Sequence, residues 1–284
     1  MTETPILFGP QDSLVGVLAQ PAESGSARVA YLMFNAGVLP RVGPHRLNVK
    51  LARALAAAGQ TSLRFDLSGQ GDSRSATNPL DFVAQAAADI RSAMDHLANT
   101  FGIQRFALIG ICSGAVSVFV AAQADPRVAG VMMFDGHWYR TVWTLPIRHW
   151  KRLRSLGWSD LVRSTRRRAR GLFHARLDLA NGKPTHPGSM ASNPPRAEFV
   201  RALQALADRR VSIYFIYSIA AMDFYSYGNQ FKDGFGDEPF ADVVRCDHRP
   251  DIDHTFIALE SQRTMIELVV AWVAHVDTAC EAPA

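Results

Sequence analysis

The chain has 284 residues, 48% of them apolar, with a formal net charge of +4 and three cysteines. That is enough for the core of one α/β domain with a small insertion, and two equal domains are not required. Cys112, Cys246 and Cys280 are too few and too scattered for a disulfide framework or a C-x-x-C metal site, and they suit a reducing compartment. No basic segment and apolar core open the chain, and no apolar run approaches about 18 residues, so the expectation is a cytoplasmic protein with no membrane span and no nucleic-acid partner.

In chain order, Ile6-Leu7-Phe8 and Leu14 to Leu18 flank Gly9-Pro10-Gln11-Asp12 as a hairpin at a sheet edge. A turn-rich piece, Pro21 to Ser26, follows. Val29 to Phe34 is the continuous apolar run of a strand buried on both faces, and it ends in the small-residue loop Asn35-Ala36-Gly37-Val38. Leu47, Leu51, Leu55 and Ala58 predict a helix over 46–58. Thr61 to Phe65 is the next strand, and it breaks into the turn Asp66 to Ser73. Phe82, Ala86, Ile90, Met94 and Leu97 mark one face of a helix over 80–99. Strands at 105–111 and 128–134 bracket a helix from Ser113 to Ala124. This alternation predicts an α/β fold, a mostly parallel sheet with helices on both faces.

The alternation pauses between Gly136 and Ala197. Trp138, Trp143, Trp150 and Trp158 lie there, and ten Lys or Arg between Arg148 and Arg176 face one acid, Asp160. The expectation is a helical lid insertion at 136–197, with 1–135 and 198–284 forming the core. Pro184 to Pro195 reads as loop. The core pattern resumes with helix 197–207, strand 211–217, a weaker strand 241–246 and a last helix from about Glu260 to Val276.

The chemistry centres on Arg105 to Ala115, where an apolar run stops at Gly110, presents Cys112 and resumes in small residues after Gly114. The spacing is that of the nucleophile elbow G-x-S-x-G with sulfur in place of the hydroxyl. Small residues two before and two after the nucleophile let strand and helix pass closely. Ser113 as the nucleophile fails on spacing, because its flanking positions would be Ile111 and Ala115. Such a thiol needs a base, a group that orients the base, and N–H donors for an oxyanion.

The elbow, the Asn35-Ala36-Gly37 loop, the turn Arg64 to Ser73 and Asp253-His254-Thr255-Phe256 occur in the order seen in α/β-hydrolases. Over roughly 28–276 the chain resembles the branch related to serine aminopeptidase and acyl-transferring lipases. The resemblance implies His254 as base, with His248 as rival, and an acid after the strand at 211–217. Asp223 is the first carboxylate there, about two residues displaced, with Asp251 and Asp253 as local substitutes. The oxyanion hole combines the Ser113 N–H with one from Ala36 or Gly37. Asp66, Gly69, Gly71 and Ser73 shape the supporting turn. His45, Arg46, His137 and Tyr139 are candidate substrate contacts, with helix capping the simpler reading of the first two.

An elbow cysteine also resembles the arrangement in dienelactone hydrolases and polyester synthases, which use one for lactone opening or acyl transfer. The expectation is therefore an acyl-cysteine enzyme acting on an ester or thioester, without a cofactor. The basic cluster Arg166, Arg167, Arg168 and Arg170 suits coenzyme A or an acidic acyl carrier protein, although a solvated helix face is the simpler reading. A ligand-binding protein without turnover is the second reading, and the displaced acid is its support.

Overall fold

The computed structural model describes residues 1–22, 28–155 and 193–281. Eight strands form one sheet in the order β1-β2-β4-β3-β5-β6-β7-β8, where β1 is Thr2–Phe8, β2 Leu14–Gln20, β3 Val29–Met33 and β4 Thr61–Phe65. The others are β5 Arg105–Ile111, β6 Val128–Phe134, β7 Ser212–Ser218 and β8 Arg245–Arg249. The expected hairpin forms, with Leu7 opposite Val15 and Phe8 opposite Leu14, and β2 also runs antiparallel to β4. All other neighbouring pairs are parallel.

β3, β4 and β6 are buried at every position, which is why β3 and β6 read as unbroken apolar or small-residue runs. Helices cover both faces. On one, α1 (Leu47–Ala57) and α7 (Leu259–Glu281) bring Leu47, Leu51, Leu55, Met265 and Trp272 onto Tyr31, Ile109 and Met132. On the other, α2 (Phe82–Phe101), α3 (Ser113–Ala124) and α5 (Arg196–Asp208) pack Ile90, Met94, Val118, Phe119 and Phe199. Asp81 caps α2 by accepting from the N–H groups of Val83 and Ala84, and Gly102 ends it in the left-handed conformation. α3 is apolar nearly all round, as a helix buried in the layer must be.

Between α3 and α5 the described residues add α4 (Thr144–Ser155); α6 is the short Gln230–Phe235. The centre of the expected insertion, 156–192, including Trp158, Asp160, Arg166, Arg167, Arg168 and Arg170, lies outside the described residues, as does most of the turn at 21–26. The predicted strand at 241–246 is displaced. Phe240 and Val244 are buried against the core, and the strand that joins the sheet is the polar Arg-Cys-Asp-His-Arg of β8. A half-exposed edge strand needs no apolar alternation, so hydrophobicity started the strand four residues too early, at 241 instead of 245.

Strand order reverses between β3 and β5, since β3 leads through α1 to β4 on one side and has β5 on the other. Loops at the carboxyl ends of strands diverge at such a switch point and leave a crevice. The Asn35–Val38 loop and Cys112 both lie there.

Candidate active site

Cys112 sits between β5 and α3 at φ 57° and ψ −119°, a conformation costly for a side chain with a Cβ. It is held from both sides. Its N–H donates to Phe134 O at 2.9 Å, and its carbonyl accepts from the Ala115 N–H at 3.0 Å. The glycine at 110 is required by close approach: a Cβ there would lie 2.4 Å from Gly114 O and 2.7 Å from the Ala115 Cα. The expected elbow is thus present, with a half-buried thiol at its apex.

His254, in the turn before α7, is hydrogen-bonded to Cys112 and places Nδ1 2.6 Å from Asp135 Oδ2. With Nδ1 committed to the carboxylate, Nε2 is the nitrogen that meets sulfur. The Asp135 contact, then the thiol, push His254 up to about 10. The His254 hydrogen bond, against the cost of burial, brings the Cys112 thiol down; the His254 charge and the Ser113 N–H add to it. Both directions favour a thiolate paired with an imidazolium at neutral pH.

The carboxylate that holds His254 is Asp135, at the end of β6, in the place the sequence expected of Asp223. Asp135 takes φ 50°, is 7% exposed, and accepts from Ser218 twice, from the N–H at 2.7 Å and from the hydroxyl at 2.5 Å. Where an acid was expected after β7, the chain instead supplies Ser218 as a donor to the acid on the neighbouring strand. Asp223 ends the short helical turn Ile219–Asp223, and its side chain lies outside what the structure describes. The local substitutes are occupied elsewhere. Asp251 pairs with Arg249, and Asp253 accepts from the N–H groups of Thr255, Ile257 and Ala258. His248 lies on β8 opposite Tyr217, with its ring against Tyr225.

The oxyanion donors are arranged in part. The Ser113 N–H points at the sulfur from the first turn of α3. Gly37 does not offer its N–H, because that group donates to Ser113 Oγ at 2.9 Å. Ala36 uses its carbonyl, which accepts from the Leu39 N–H at 3.1 Å. The loop is fixed from beneath by Asn35, whose Oδ1 accepts from the Leu67 N–H at 2.6 Å and whose Nδ2 donates to Leu39 O and to Asp66. Asp66, fully buried, also binds Arg41, so the turn after β4 locks the loop after β3. Those turn residues are structural, as expected.

A cavity of about 250 Å³ opens beside the thiol, with walls that include Phe82, Val83, Val116, His137, Trp138 and Asn193. A smaller one, about 80 Å³, adjoins His254 between Trp138, Tyr217 and Phe224. His137 thus lines the site as expected. Three other candidates line neither of these two cavities. His45 and Arg46 are exposed at φ 47° and 63° in the turn before α1 and line neither cavity. Tyr139 is turned into the core, its ring on Phe199 and Phe235 and its hydroxyl donating to Pro194 O. Trp138, read from sequence only as lid bulk, is instead the wall shared by both cavities and is stacked on Phe224 at 4.0 Å.

A family model described as the alpha/beta hydrolase fold matches residues 41–178. An α/β serine hydrolase without lid from Xanthomonas campestris is similar in structure, with a TM-score of 0.56 at 14% identity, covering 100% of this chain and 98% of that one. The chain has the α/β-hydrolase fold. Est1E of Butyrivibrio proteoclasticus with ferulic acid bound gives 0.51 at 13% identity over 93% and 96% of the two chains. A proline iminopeptidase-related protein from Thermus thermophilus gives 0.52 at 17%, over 98% and 100%. Comparison with the curated proteins finds no match.

Within this α/β-hydrolase fold, sequence reasoning missed Asp135 and Ser218. A signal was present: Asp135 directly ends an apolar strand, between the nucleophile and the histidine in chain order.

Proposed function

We propose that this protein is an acyl-cysteine enzyme that hydrolyses or transfers an acyl group carried as an ester or thioester. One observation carries the reading: Cys112, His254 and Asp135 form a single hydrogen-bonded chain at the apex of the elbow. The thiolate attacks the carbonyl carbon, a C–S bond forms, and the oxyanion takes the Ser113 N–H. The Gly37 N–H joins it when the Ser113 hydroxyl releases it. The imidazolium Nε2–H protonates the departing oxygen or sulfur as the original C–O or C–S bond breaks. His254, now neutral, removes the proton of water or of an acceptor alcohol, amine or thiol that attacks the acyl-cysteine, and the thiolate returns.

Thioesters suit sulfur especially, because exchange between thioester and thiolate is nearly balanced in energy. A reducing, cytoplasmic setting keeps the thiol free. The support for ligand binding without turnover was a missing acid, and Asp135 removes that support. Incubation with an acyl thioester followed by intact-mass measurement tests the proposal. The wild type is expected to gain one acyl mass on Cys112 and to lose it faster when an acceptor amine is added. Cys112→Ala should gain none, and full turnover by that variant would exclude covalent catalysis.

A further inference from the structure

The exposed apolar side chains of this protein are concentrated at one end of the sheet. Val38 after β3, Phe82 at the start of α2, Val142 after β6, Ile219 after β7 and Ile257 after β8 all follow the carboxyl end of a strand, as Cys112 does. Val38 is 90% exposed and Val142 84%, and Phe82 is also a wall of the Cys112 cavity. At the amino-terminal end of the parallel strands, the only large exposed apolar side chains among the described residues are Met1, Phe101 and Val243. Single exposed apolar residues are ordinary, whereas a concentration of them around one site marks a surface that meets something.

α4 is the densest part of this rim. Thr144 is turned inward and fully buried, and Lys151 Nζ ties the helix down by donating to Ser226 O at 2.6 Å. Trp143, just before the helix, and Leu145, His149, Trp150 and Arg154 are exposed on its other side. The Arg154 guanidinium lies over the Trp150 ring at 5.8 Å. From Gly136 to Ser155 the sequence has five Lys or Arg and no Asp or Glu. Acids elsewhere on this end are already matched: Asp72 pairs with Arg41, Asp251 with Arg249 and Glu260 with Arg263. Indole rings set among cations suit an anionic lipid surface, where the rings lie at headgroup level and the cations meet phosphates. An acidic protein would match the cations, but the apolar rim is spread over five loops, and a fluid lipid surface conforms to it without a shaped counterpart. We infer that this end of the molecule docks on an anionic phospholipid bilayer through Trp143, Trp150 and Arg154. The docking stands apart from the reaction at Cys112 and is tested without it.

The test is co-sedimentation of the full chain with sucrose-loaded vesicles at low salt. Vesicles of phosphatidylcholine with about 30% phosphatidylglycerol are expected to bind it about tenfold or more tightly than phosphatidylcholine alone. Trp143→Ser combined with Trp150→Ser should weaken binding to the anionic vesicles by about tenfold or more, with the urea unfolding midpoint unchanged. Arg154→Glu should weaken it by about tenfold and leave binding to phosphatidylcholine as it was. Phe101→Ser, at the far end, should change neither. Quenching of wild-type tryptophan fluorescence by lipid brominated near the headgroup reads the insertion without any variant. Absence of binding to the anionic vesicles overturns the inference, even if an acidic carrier protein binds in their place. So do equal binding to both compositions, binding that survives the tryptophan substitutions, and fluorescence that bound brominated vesicles leave unquenched.

Discussion

Cys112 and His254 set each other's protonation, and their responses to pH follow from the signs. The Asp135 carboxylate and the thiol raise His254 to about 10, so its imidazolium persists through neutral pH and is lost near that value. Cys112 is lowered, so its thiolate is present below the usual thiol range and is lost on further acidification. Acylation needs both forms, and kcat/KM for a thioester is expected to be bell-shaped, with an alkaline limb near 10 that belongs to the pair. Removing the imidazole by His254→Ala should move the midpoint of Cys112 alkylation by iodoacetamide up toward about 8.5, the value of a free thiol. An unmoved midpoint would separate the two residues. Asp135→Asn removes the charge that holds His254 and is expected to lower kcat/KM by about 10²- to 10⁴-fold, whereas Asp223→Asn should leave it nearly unchanged. The reverse ranking would restore the acid to the following strand.

At the scale of elements, the elbow depends on how closely β5 and α3 cross. Gly110→Ala puts a methyl against the Gly114 carbonyl, a backbone group that cannot swing aside. We expect a loss of about 1–3 kcal/mol in urea unfolding from overpacking, together with slower acylation because the Cys112 backbone shifts. Normal stability with normal activity would show that the crossing can open at no cost. The same reasoning separates what could be read at this scale from what could not. β3, β5, β6 and α3 were legible because elements buried on all sides must be apolar throughout. β8 was not, because an edge strand is stabilised by its partner's hydrogen bonds and leaves little mark in its own sequence.

For the molecule as a whole, the site is assembled at the carboxyl ends of five strands: Asn35 to Val38 after β3, Cys112 after β5, Asp135 after β6, Ser218 ending β7 and His254 between β8 and α7. Along its sequence the chain is asymmetric in charge, with the arginines at 166–168 following α4. Reversing Arg166, Arg167 and Arg168 to Glu is expected to raise KM for a carrier-protein thioester about tenfold at low salt. KM for a small neutral thioester should stay as it was. Equal effects on both would exclude an acidic partner at that segment.

The sequence by itself determined most of the strand and helix succession and the elbow with sulfur at its apex, and it pointed to His254 as the partner of that sulfur, because each is marked within a few consecutive residues. Only the tertiary structure decided which acid serves that base. Asp135 and His254 are 119 residues apart, and what joins them is the pairing of β6 with β7, which sets Ser218 against the carboxylate. It also decided that Gly37 spends its N–H on Ser113 and that Tyr139 faces the core while Trp138 walls the site. Side-chain direction and hydrogen-bond partnership depend on neighbours brought together by folding, and no local pattern of residues carries them.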